Sequence, residues 1–304
     1  MTTKEFVKHL EGVFPPVVTP FNRRGDIDEG AFRSNLERYT NIGLAGVVVA
    51  GSNGEAPHLT GTERLRLVEI ARAVVRSPEL VIAGTGLDGT AQTLKLSREA
   101  VARGADAVLV LPPAYYRSAM RPEILEAHFR VVADGLRRPL LIYSIPQCTG
   151  FALEPAMIAK LSRHPNIPAM KESSGKIDFD SAILAKTRPR FRLLLGSALA
   201  FLEGLKAGAC GGVLSQANFV PQLCIGIYEA FRQNDFKTAE RLQARLFTLV
   251  QEVTGPHGIA GVKVALDLCG YRGGDPRLPL QPLGPAVRRR IAAALKRACA
   301  GLDV

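Results

Sequence analysis

Residues 46–75 read GVVVAGSNGEAPHLTGTERLRLVEIARAVV, and this stretch contains the unit from which the fold is built. Gly46–Ala50 is a short β-branched run, which is typical of a strand covered on both faces. The helical pattern of Thr62–Val75 follows it, and Thr60 or Thr62 is placed to cap that helix. The stretch therefore predicts one β-strand followed by one α-helix.

The same unit recurs along the chain. Short apolar runs predict eight strands, which are Phe14–Thr19, Gly46–Ala50, Leu80–Ala83, Ala107–Leu111, Pro139–Tyr143, Ile167–Lys171, Phe191–Leu195 and Gly212–Ser215. Amphipathic helical patterns lie between them, such as Ala31–Ile42, Thr62–Val75, Thr90–Arg103 and Pro122–Gly135. Eight such units in series favour an α/β fold of the (β/α)8 TIM barrel type over an open sheet.

From about Phe219 the pattern changes to helices only, and these are predicted at Pro221–Gln233, Phe236–Val253, Gly261–Leu268 and Pro285–Ala300. We therefore expect a (β/α)8 barrel over residues 1–218 and a C-terminal helical extension over residues 219–304. A chain of 304 residues is long enough to hold both parts.

The composition excludes several classes of protein. With 47% hydrophobic residues the chain is not intrinsically disordered. The net charge of +11 raises the question of nucleic-acid binding. The basic residues form no stripe or patch interleaved with aromatics, so we expect no nucleic-acid partner.

The cysteines and the apolar segments bear on the cellular compartment. Five cysteines at wide spacings, with no Cys-x-x-Cys pair, indicate free thiols in a reducing cytoplasm. The N-terminal residues lack the apolar core of a signal peptide. The uncharged stretch Ala207–Tyr228 contains glycine, proline and amide side chains, which favours a buried segment over a membrane span. We expect no membrane partner.

Residues with chemical potential follow the predicted strands at their carboxyl ends, where barrel enzymes carry their reactive groups. Lys171 comes after the apolar Ile167–Met170, so its amine should lie at the barrel mouth. Burial disfavours the ammonium form and leaves amine free to attack a carbonyl and form a Schiff base. From the residue alone, a strand-end lysine that extends its amine to water is the commoner case.

Two other predicted strands carry hydroxyl groups at or just after their carboxyl ends, on Tyr143 and Ser52. Tyr143 ends the strand before that of Lys171 and would shuttle protons there, or would simply pack its ring and tether its hydroxyl to the backbone. Ser52 and Asn53 lie on a turn bracketed by glycines, where backbone N–H groups are able to approach an oxyanion or carboxylate. In isolation such a turn commonly means only a tight loop.

Gly84–Gly89 offers a different reading, because it matches the G-x-G-x-x-G pattern of dinucleotide-binding proteins. It follows a predicted strand and precedes a helix. However, it follows the third strand rather than the first, and Asp106 precedes the next strand instead of ending it. Both features argue against a dinucleotide site. The five scattered histidines do not indicate a metal site either.

Taken in order, these strand ends resemble the dihydrodipicolinate synthase/N-acetylneuraminate lyase family. The resemblance covers nearly the whole chain from Phe14–Phe21 onward, and two of its motifs are specific: Gly51–Glu55, and Tyr143–Pro146 followed by Lys171–Ser173. It implies a barrel aldolase that forms a Schiff base with a pyruvate-like 2-oxo acid and needs no cofactor. Gly84–Gly89 looks like an ordinary loop of this family.

The resemblance also implies roles for individual residues. Lys171 is similar to the family's Schiff-base lysine and Tyr143 to its catalytic tyrosine. Ser52 and Asn53 fall where the family has a Thr-Thr or Ser-Thr pair, so Ser52 would join a hydroxyl relay. Asn53, with Ser52, would hold the carboxylate of the 2-oxo acid.

Further residues are implied at the mouth of the barrel. Tyr116 aligns with a tyrosine that family members insert into the neighbouring subunit's site, which implies a homodimer or homotetramer. Val213 matches a position whose backbone carbonyl faces the substrate, and Gly196 lines the same mouth. Cys148 stands where true dihydrodipicolinate synthases carry an arginine that grips the carboxylate of aspartate semialdehyde. Its presence argues against that synthase activity.

Several local features instead resemble the 4-hydroxy-2-oxoglutarate aldolase branch: Gly51–Glu55, Tyr115–Arg117, Tyr143–Pro146, His164–Ile167 and Gly270–Gly274. That branch splits 4-hydroxy-2-oxoglutarate into pyruvate and glyoxylate. Two alternatives stay open at this point. One is another branch of the family, either the synthase or a sugar-acid lyase. The other is a protein of a different class, either a non-catalytic binder of 2-oxo acids or a dinucleotide-binding protein.

Overall fold

The computed structural model describes residues 2–301, and within them eight parallel strands form a barrel surrounded by helices. The predicted (β/α)8 fold with C-terminal helices is confirmed. The strands are β1 Gly12–Phe14, β2 Gly46–Val49, β3 Leu80–Gly84, β4 Ala107–Val110, β5 Leu140–Ser144, β6 Ala169–Glu172, β7 Arg192–Leu195 and β8 Gly211–Val213.

The helices up to the last strand are α1 Thr3–His9, α2 Glu29–Tyr39, α3 Gly61–Val74, α4 Thr90–Ala102, α5 Pro122–Asp134, α6 Pro146–Thr149, α7 Pro155–Leu161, α8 Ile177–Lys186 and α9 Phe201–Lys206. After β8 come α10 Pro221–Arg232, α11 Phe236–Leu249, α12 Gly255–Leu268 and α13 Pro285–Ala298. A π-helical turn over Val250–Thr254 joins α11 to α12.

Each strand pairs in parallel with the next in sequence from β2 to β8, and β8 pairs with β1. The remaining gap between β1 and β2 is closed by backbone hydrogen bonds. Ala45 donates to Val13 at 3.0 Å, and Val17 donates to Val48 at 2.9 Å. The ring therefore has no free strand edge at this seam.

The first strand differs from its prediction. It was expected at Phe14–Thr19, but it ends at Phe14. Pro15 and Pro16 follow directly, and proline has no N–H to donate to a ladder. The chain nevertheless continues beside β2, since Pro16 forms an isolated bridge with Val48. Apolar character alone therefore indicated a buried segment correctly, but it predicted the paired residues C-terminal to the observed strand.

Two apolar layers hold the barrel together. The inner one contains strand side chains that point into the barrel, together with Phe6 and Leu10 near its N-terminal end. Phe6 is fully buried, so α1 closes the bottom of the barrel with its apolar face. The outer layer lies between the strands and the surrounding helices. The carboxyl ends of the strands lie at the opposite end of the barrel from α1.

The C-terminal part differs in detail from its prediction. The helix expected at Gly261–Leu268 begins earlier, at Gly255, and is kinked at Gly258, where φ is 50°. The helix expected to reach Val253 ends at Leu249, where the π-helical turn begins. The division at residue 218 stays a prediction. None of the helices within residues 2–301 has the length and apolar character needed to cross a membrane.

Candidate active site

The centre of the site is a contact between two neighbouring strands. Tyr143 of β5 and Lys171 of β6 lie directly opposite each other in the register. Lys171 is only 5% exposed, and its Nζ donates to the Tyr143 hydroxyl at 3.1 Å. The same Nζ lies 4.2 Å from the centre of the tyrosine ring. The amine is therefore held inside the barrel rather than extended to water.

Ser52 extends this contact into a chain of three polar groups. Its Oγ lies 3.2 Å from the Tyr143 hydroxyl, and either atom is able to donate. Ser52 comes from the turn after β2. Amine, phenol and serine hydroxyl thus form one continuous hydrogen-bonded path.

Two side-chain hydrogen bonds hold the turn that carries Ser52 in place. Asn53 donates through Nδ2 to Ser215 Oγ at 2.7 Å, which ties the turn to the segment after β8. Thr19 donates through Oγ1 to the carbonyl of Gly54 at 2.7 Å. Sequence reasoning did not identify Ser215, because a lone serine after a strand gives no signal of its own.

Gly196 leaves space that the lysine side chain needs. A Cβ at this position would collide with Ser173 Oγ and would lie 3.0 Å from Cε of Lys171. Ser173 Oγ is buried and has no hydrogen-bond partner among the described residues. Such a hydroxyl costs free energy unless a ligand or water completes it. Sequence reasoning quoted Ser173 within a motif but gave it no role.

Val213 and Cys148 lie at the same end of the barrel. Val213 ends β8 and is buried in the inner layer. Cys148 lies on α6, directly after β5, and is exposed. Partial burial raises the pKa of the Cys148 thiol, and the charge of Lys171 acts in the opposite direction. The thiol therefore lies within the electrostatic field of the lysine.

Tyr116 does not join this cluster within the chain. It is 71% exposed and its neighbour Tyr115 is 79% exposed, with their rings packed edge to face at 5.1 Å between centroids. Two large aromatic rings on one exposed loop form an apolar surface that monomers seldom leave open.

A different pair lies between β6, which carries Glu172, and α8, which carries Asp180. Glu172 and Asp180 are each 1% exposed. Ser174 donates to Glu172 through its backbone N–H and its hydroxyl, and Ser144 donates at 3.3 Å. Burial, and then the neighbouring Glu172, raise the pKa of Asp180 to about 7. Asp180 therefore keeps its proton to a much higher pH than an exposed aspartate does.

A buried ion pair lies beneath the Ser52 turn. Lys263 of α12 places Nζ 2.7 Å from Oε1 of Glu55, and both side chains are 1% exposed. Oε1 of Glu55 accepts no hydrogen bond among the described residues, so its contact with Lys263 is one of charge. Lys263 also donates to the carbonyl of Asp275 at 2.9 Å. The C-terminal helices thus hold the residue that ends the Gly51–Glu55 motif.

The dinucleotide reading finds no support in the geometry. The carbonyl of Gly86 accepts from the buried Arg64 at 3.4 Å, and Thr85 bonds to Ser97 at 2.8 Å between their hydroxyls, so this loop packs against its own helices. Asp106 binds Arg72 at 2.9 Å and the N–H of Val81 at the start of β3. It therefore lies at the opposite end of the strands from the site.

Known proteins are similar to this chain over almost all of it. The profile of the dihydrodipicolinate synthetase family matches residues 9–298. A 4-hydroxy-tetrahydrodipicolinate synthase from Methanoculleus marisnigri is 36% identical over 289 residues, which cover 94% of this chain and 98% of the relative. The synthase from Methanothrix thermoacetophila is 37% identical, with 95% and 97% covered.

Solved structures show the same likeness. A prophage protein of E. coli K12 from the dihydrodipicolinic acid synthase family, in complex with pyruvate, superposes with a TM-score of 0.90 at 26% identity, covering 95% of this chain and 98% of that one. The 4-hydroxy-tetrahydrodipicolinate synthase of Methylacidiphilum fumariolicum SolV gives a TM-score of 0.90 at 29% identity, with 95% and 96% covered.

Proposed function

The chain belongs to the dihydrodipicolinate synthetase family, a family of Schiff-base pyruvate aldolases and lyases, and we propose that it cleaves 4-hydroxy-2-oxoglutarate into pyruvate and glyoxylate. The observation that carries the chemistry is the path from Lys171 Nζ through the Tyr143 hydroxyl to Ser52 Oγ. A buried amine beside two connected hydroxyls has the groups that imine formation requires.

The reaction begins when the Lys171 amine attacks the 2-oxo carbon. Tyr143 passes a proton to the carbinolamine oxygen, which leaves as water, and Ser52 replenishes the tyrosine. The protonated imine then accepts the electron pair of the C3–C4 bond as that bond breaks. The C4 hydroxyl gives its proton back to the Tyr143–Ser52 relay, which had released one in the dehydration, and glyoxylate leaves.

The remaining enamine takes a proton at C3 from the Tyr143–Ser52 relay and becomes the protonated imine of pyruvate. Water adds to this imine, its surplus proton returns to the relay, and pyruvate and the free Lys171 amine are released. The steps run backwards would condense pyruvate with an aldehyde. Asn53 and Ser52, on their glycine-bracketed turn, hold the carboxylate next to the 2-oxo group, and Gly196 and the Val213 carbonyl line the space beside it.

The choice of branch depends on the mouth of the site. Cys148 occupies the position at which a synthase of this family would need an arginine, and a thiol has no charge with which to bind the carboxylate of aspartate semialdehyde. The second candidate is 4-hydroxy-tetrahydrodipicolinate synthase, which condenses pyruvate with that semialdehyde. The names of the curated relatives favour it.

We include Tyr116 in this proposal as a residue that one subunit contributes to the active site of a second subunit. Its exposure and that of Tyr115 fit an aromatic loop that a partner subunit covers. We expect Tyr116 to reach the Tyr143 hydroxyl of that partner, in a homodimer or homotetramer. Sedimentation should show at least a dimer, and mixing Tyr116→Phe with Lys171→Arg subunits should restore part of the activity lost in each.

Borohydride trapping tests the chemistry. Reduction in the presence of pyruvate should add one pyruvate-derived mass to the peptide that contains Lys171. The Lys171→Arg variant keeps the charge but should gain no mass, whereas the exposed Lys186→Arg should be trapped like the wild type. Absence of the adduct from the wild type would show that the Schiff-base mechanism is wrong.

Parallel kinetics test the branch. Release of glyoxylate from 4-hydroxy-2-oxoglutarate is compared with the consumption of aspartate semialdehyde in the presence of pyruvate. Higher kcat/KM for the first supports the aldolase. Faster turnover of the semialdehyde would establish the second candidate instead.

A further inference from the structure

Arg117 lies at the edge of the site without an assigned role. It begins a 3₁₀ turn, Arg117–Ala119, between β4 and α5, and its side chain is exposed. Its guanidinium packs over Gly150, at the end of α6. A Cβ on Gly150 would lie 2.5 Å from the guanidinium carbon, so the guanidinium occupies the space that a side chain at position 150 would need.

Both partners in this contact are fixed by their own loops. Asp88 accepts, through one carboxylate oxygen, the N–H groups of Ala114 at 2.8 Å and Tyr115 at 2.9 Å, which anchors the start of the Arg117 loop. On the other side, Gly150 donates to the carbonyl of Pro146 at 2.8 Å. The guanidinium therefore rests on an ordered backbone.

No carboxylate neutralises this arginine within residues 2–301: neither an ion pair nor a hydrogen bond of its side chain is found there. Arg121, four residues later and also exposed, pairs with Glu123 at 3.0 Å. An arginine that is placed by its backbone but left without an acidic partner is available to an anion from solution.

The position of this anion site relates it to the lysine. Gly150 ends α6, the helix that directly follows β5, and β5 pairs with the strand that carries Lys171. Between these loops, Gln147 donates to the carbonyl of Ser173 at 2.8 Å. The loops after β4, β5 and β6 thus form one continuous wall, with Arg117 on its rim and Lys171 at its base.

Building on the proposed function, we propose that Arg117 binds the distal carboxylate of the 2-oxo acid and so selects dicarboxylate substrates. The Ser52–Asn53 turn holds the carboxylate beside the 2-oxo group, and the wall after β4–β6 receives the other end of the molecule. A guanidinium binds a carboxylate through two parallel hydrogen bonds, which fixes both position and orientation. Arg117 is thereby a specificity-determining residue.

The test uses two 2-oxo acids of equal carbon number that are able to form the imine but lack the C4 hydroxyl and so are not cleaved. 2-Oxoglutarate carries a distal carboxylate, and 2-oxopentanoate carries a methyl group in its place. The measurement is the ligand concentration that gives half-maximal borohydride trapping on Lys171. The wild type should bind 2-oxoglutarate more tightly than 2-oxopentanoate. Arg117→Gln should weaken the binding of 2-oxoglutarate by about 10- to 100-fold, the range for loss of a charged hydrogen bond.

The other arms fix the interpretation. Arg117→Gln should leave trapping of 2-oxopentanoate within about threefold of the wild type, since a neutral end makes no such bond. Arg121→Gln should behave like the wild type with both ligands, and Arg117→Lys should recover part of the preference. Equal weakening of both ligands, or no weakening of either, would overturn the proposal.

Trapping of pyruvate separates this proposal from the function on which it rests. A wild type that traps pyruvate but shows no preference for 2-oxoglutarate disproves the role of Arg117 and leaves the Schiff-base chemistry standing. A wild type that does not trap pyruvate disproves both.

Discussion

Replacing Lys263 with methionine should destabilise the protein strongly, although Lys263 lies outside the barrel. Its ammonium group is 2.7 Å from Glu55, and both side chains are 1% exposed. Methionine keeps most of the length and apolar volume of the lysine stem. The substitution therefore removes the charge while disturbing the packing little, and it leaves the Glu55 carboxylate buried without its closest positive charge.

The magnitude follows from what remains around Glu55. Breaking a buried ion pair by removing one partner costs about 3–5 kcal/mol. Glu55 keeps the N–H of Arg277 at 2.9 Å and the His58 ring at 3.2 Å, which places the cost near the lower end. The carbonyl of Asp275 also loses the donor that Lys263 supplied, which costs roughly 1 kcal/mol more. We expect a total loss of about 4 kcal/mol.

Urea unfolding followed by circular dichroism measures this loss as a change in the free energy of unfolding. The control is Lys237→Met, on the exposed face of α11, which should change the stability by less than about 0.5 kcal/mol. The double variant Glu55→Gln/Lys263→Met removes both charges. It should be at least about 2 kcal/mol more stable than the sum of its single variants predicts.

Two results would refute this reasoning. One is a loss below about 1 kcal/mol in Lys263→Met, which would place the pair among exposed ion pairs of little value. The other is a double variant whose loss equals the sum of the two single losses. In that case the two charges would not interact, and the 2.7 Å contact would have no energetic meaning.

Three further substitutions probe the site and its support. Asp180→Asn should abolish a pH dependence of stability. Folding raises the pKa of Asp180 to about 7, so between about pH 4 and 7 the unfolded chain releases this proton while the folded chain keeps it. The stability of the wild type therefore falls across this pH range. Denaturation at several pH values should show the free energy of unfolding of the variant rising relative to that of the wild type across this pH range, by up to about 4 kcal/mol. A difference in unfolding free energy that stays constant with pH would contradict the assignment. Ser173→Ala should leave stability unchanged or raise it by up to about 1 kcal/mol, because its Oγ is buried and has no hydrogen-bond partner among the described residues. The kcat/KM for the cleaved acid should fall. A loss of stability with unchanged kinetics would make the hydroxyl structural. Gly150→Ala should lower the free energy of unfolding by about 1 kcal/mol, because φ is +80° there. It should also weaken dicarboxylate binding as Arg117→Gln does, which the 2-oxoglutarate concentration for half-maximal borohydride trapping would detect.

Much of the barrel was predictable because a strand covered on both faces carries an unbroken apolar run. The β5 and β6 runs were placed within two residues of their observed starts, and so Tyr143 and Lys171 were placed correctly at strand ends. Their register adds the decisive fact that the two residues lie opposite each other. Periodicity alone does not fix the alignment of two strands, since it depends on how the whole ring closes.

Other features depend on distant segments and have no local signal. The contact of Lys263 with Glu55 joins residues 208 positions apart in the chain. Nothing in the sequence around Arg117 indicates that a guanidinium will rest on Gly150. Likewise, Asp180 looks like an ordinary acidic residue in the first turn of a helix until burial beside Glu172 is known. Charge and residue type are readable locally, whereas partner and burial are tertiary properties.

The end of β6 explains why reactivity and stability are separable in this fold. Side chains alternate along a strand, so Lys171 and Ser173 face the cavity while Glu172 faces the helical layer and Asp180. The amine therefore lies next in sequence to a carboxylate but on the other side of the sheet from it. A change at Asp180 reaches the reaction only by moving the β6 backbone, and we expect it to alter the pH dependence of unfolding more than the rate of imine formation. A change at Ser173 acts in the cavity itself and should do the reverse.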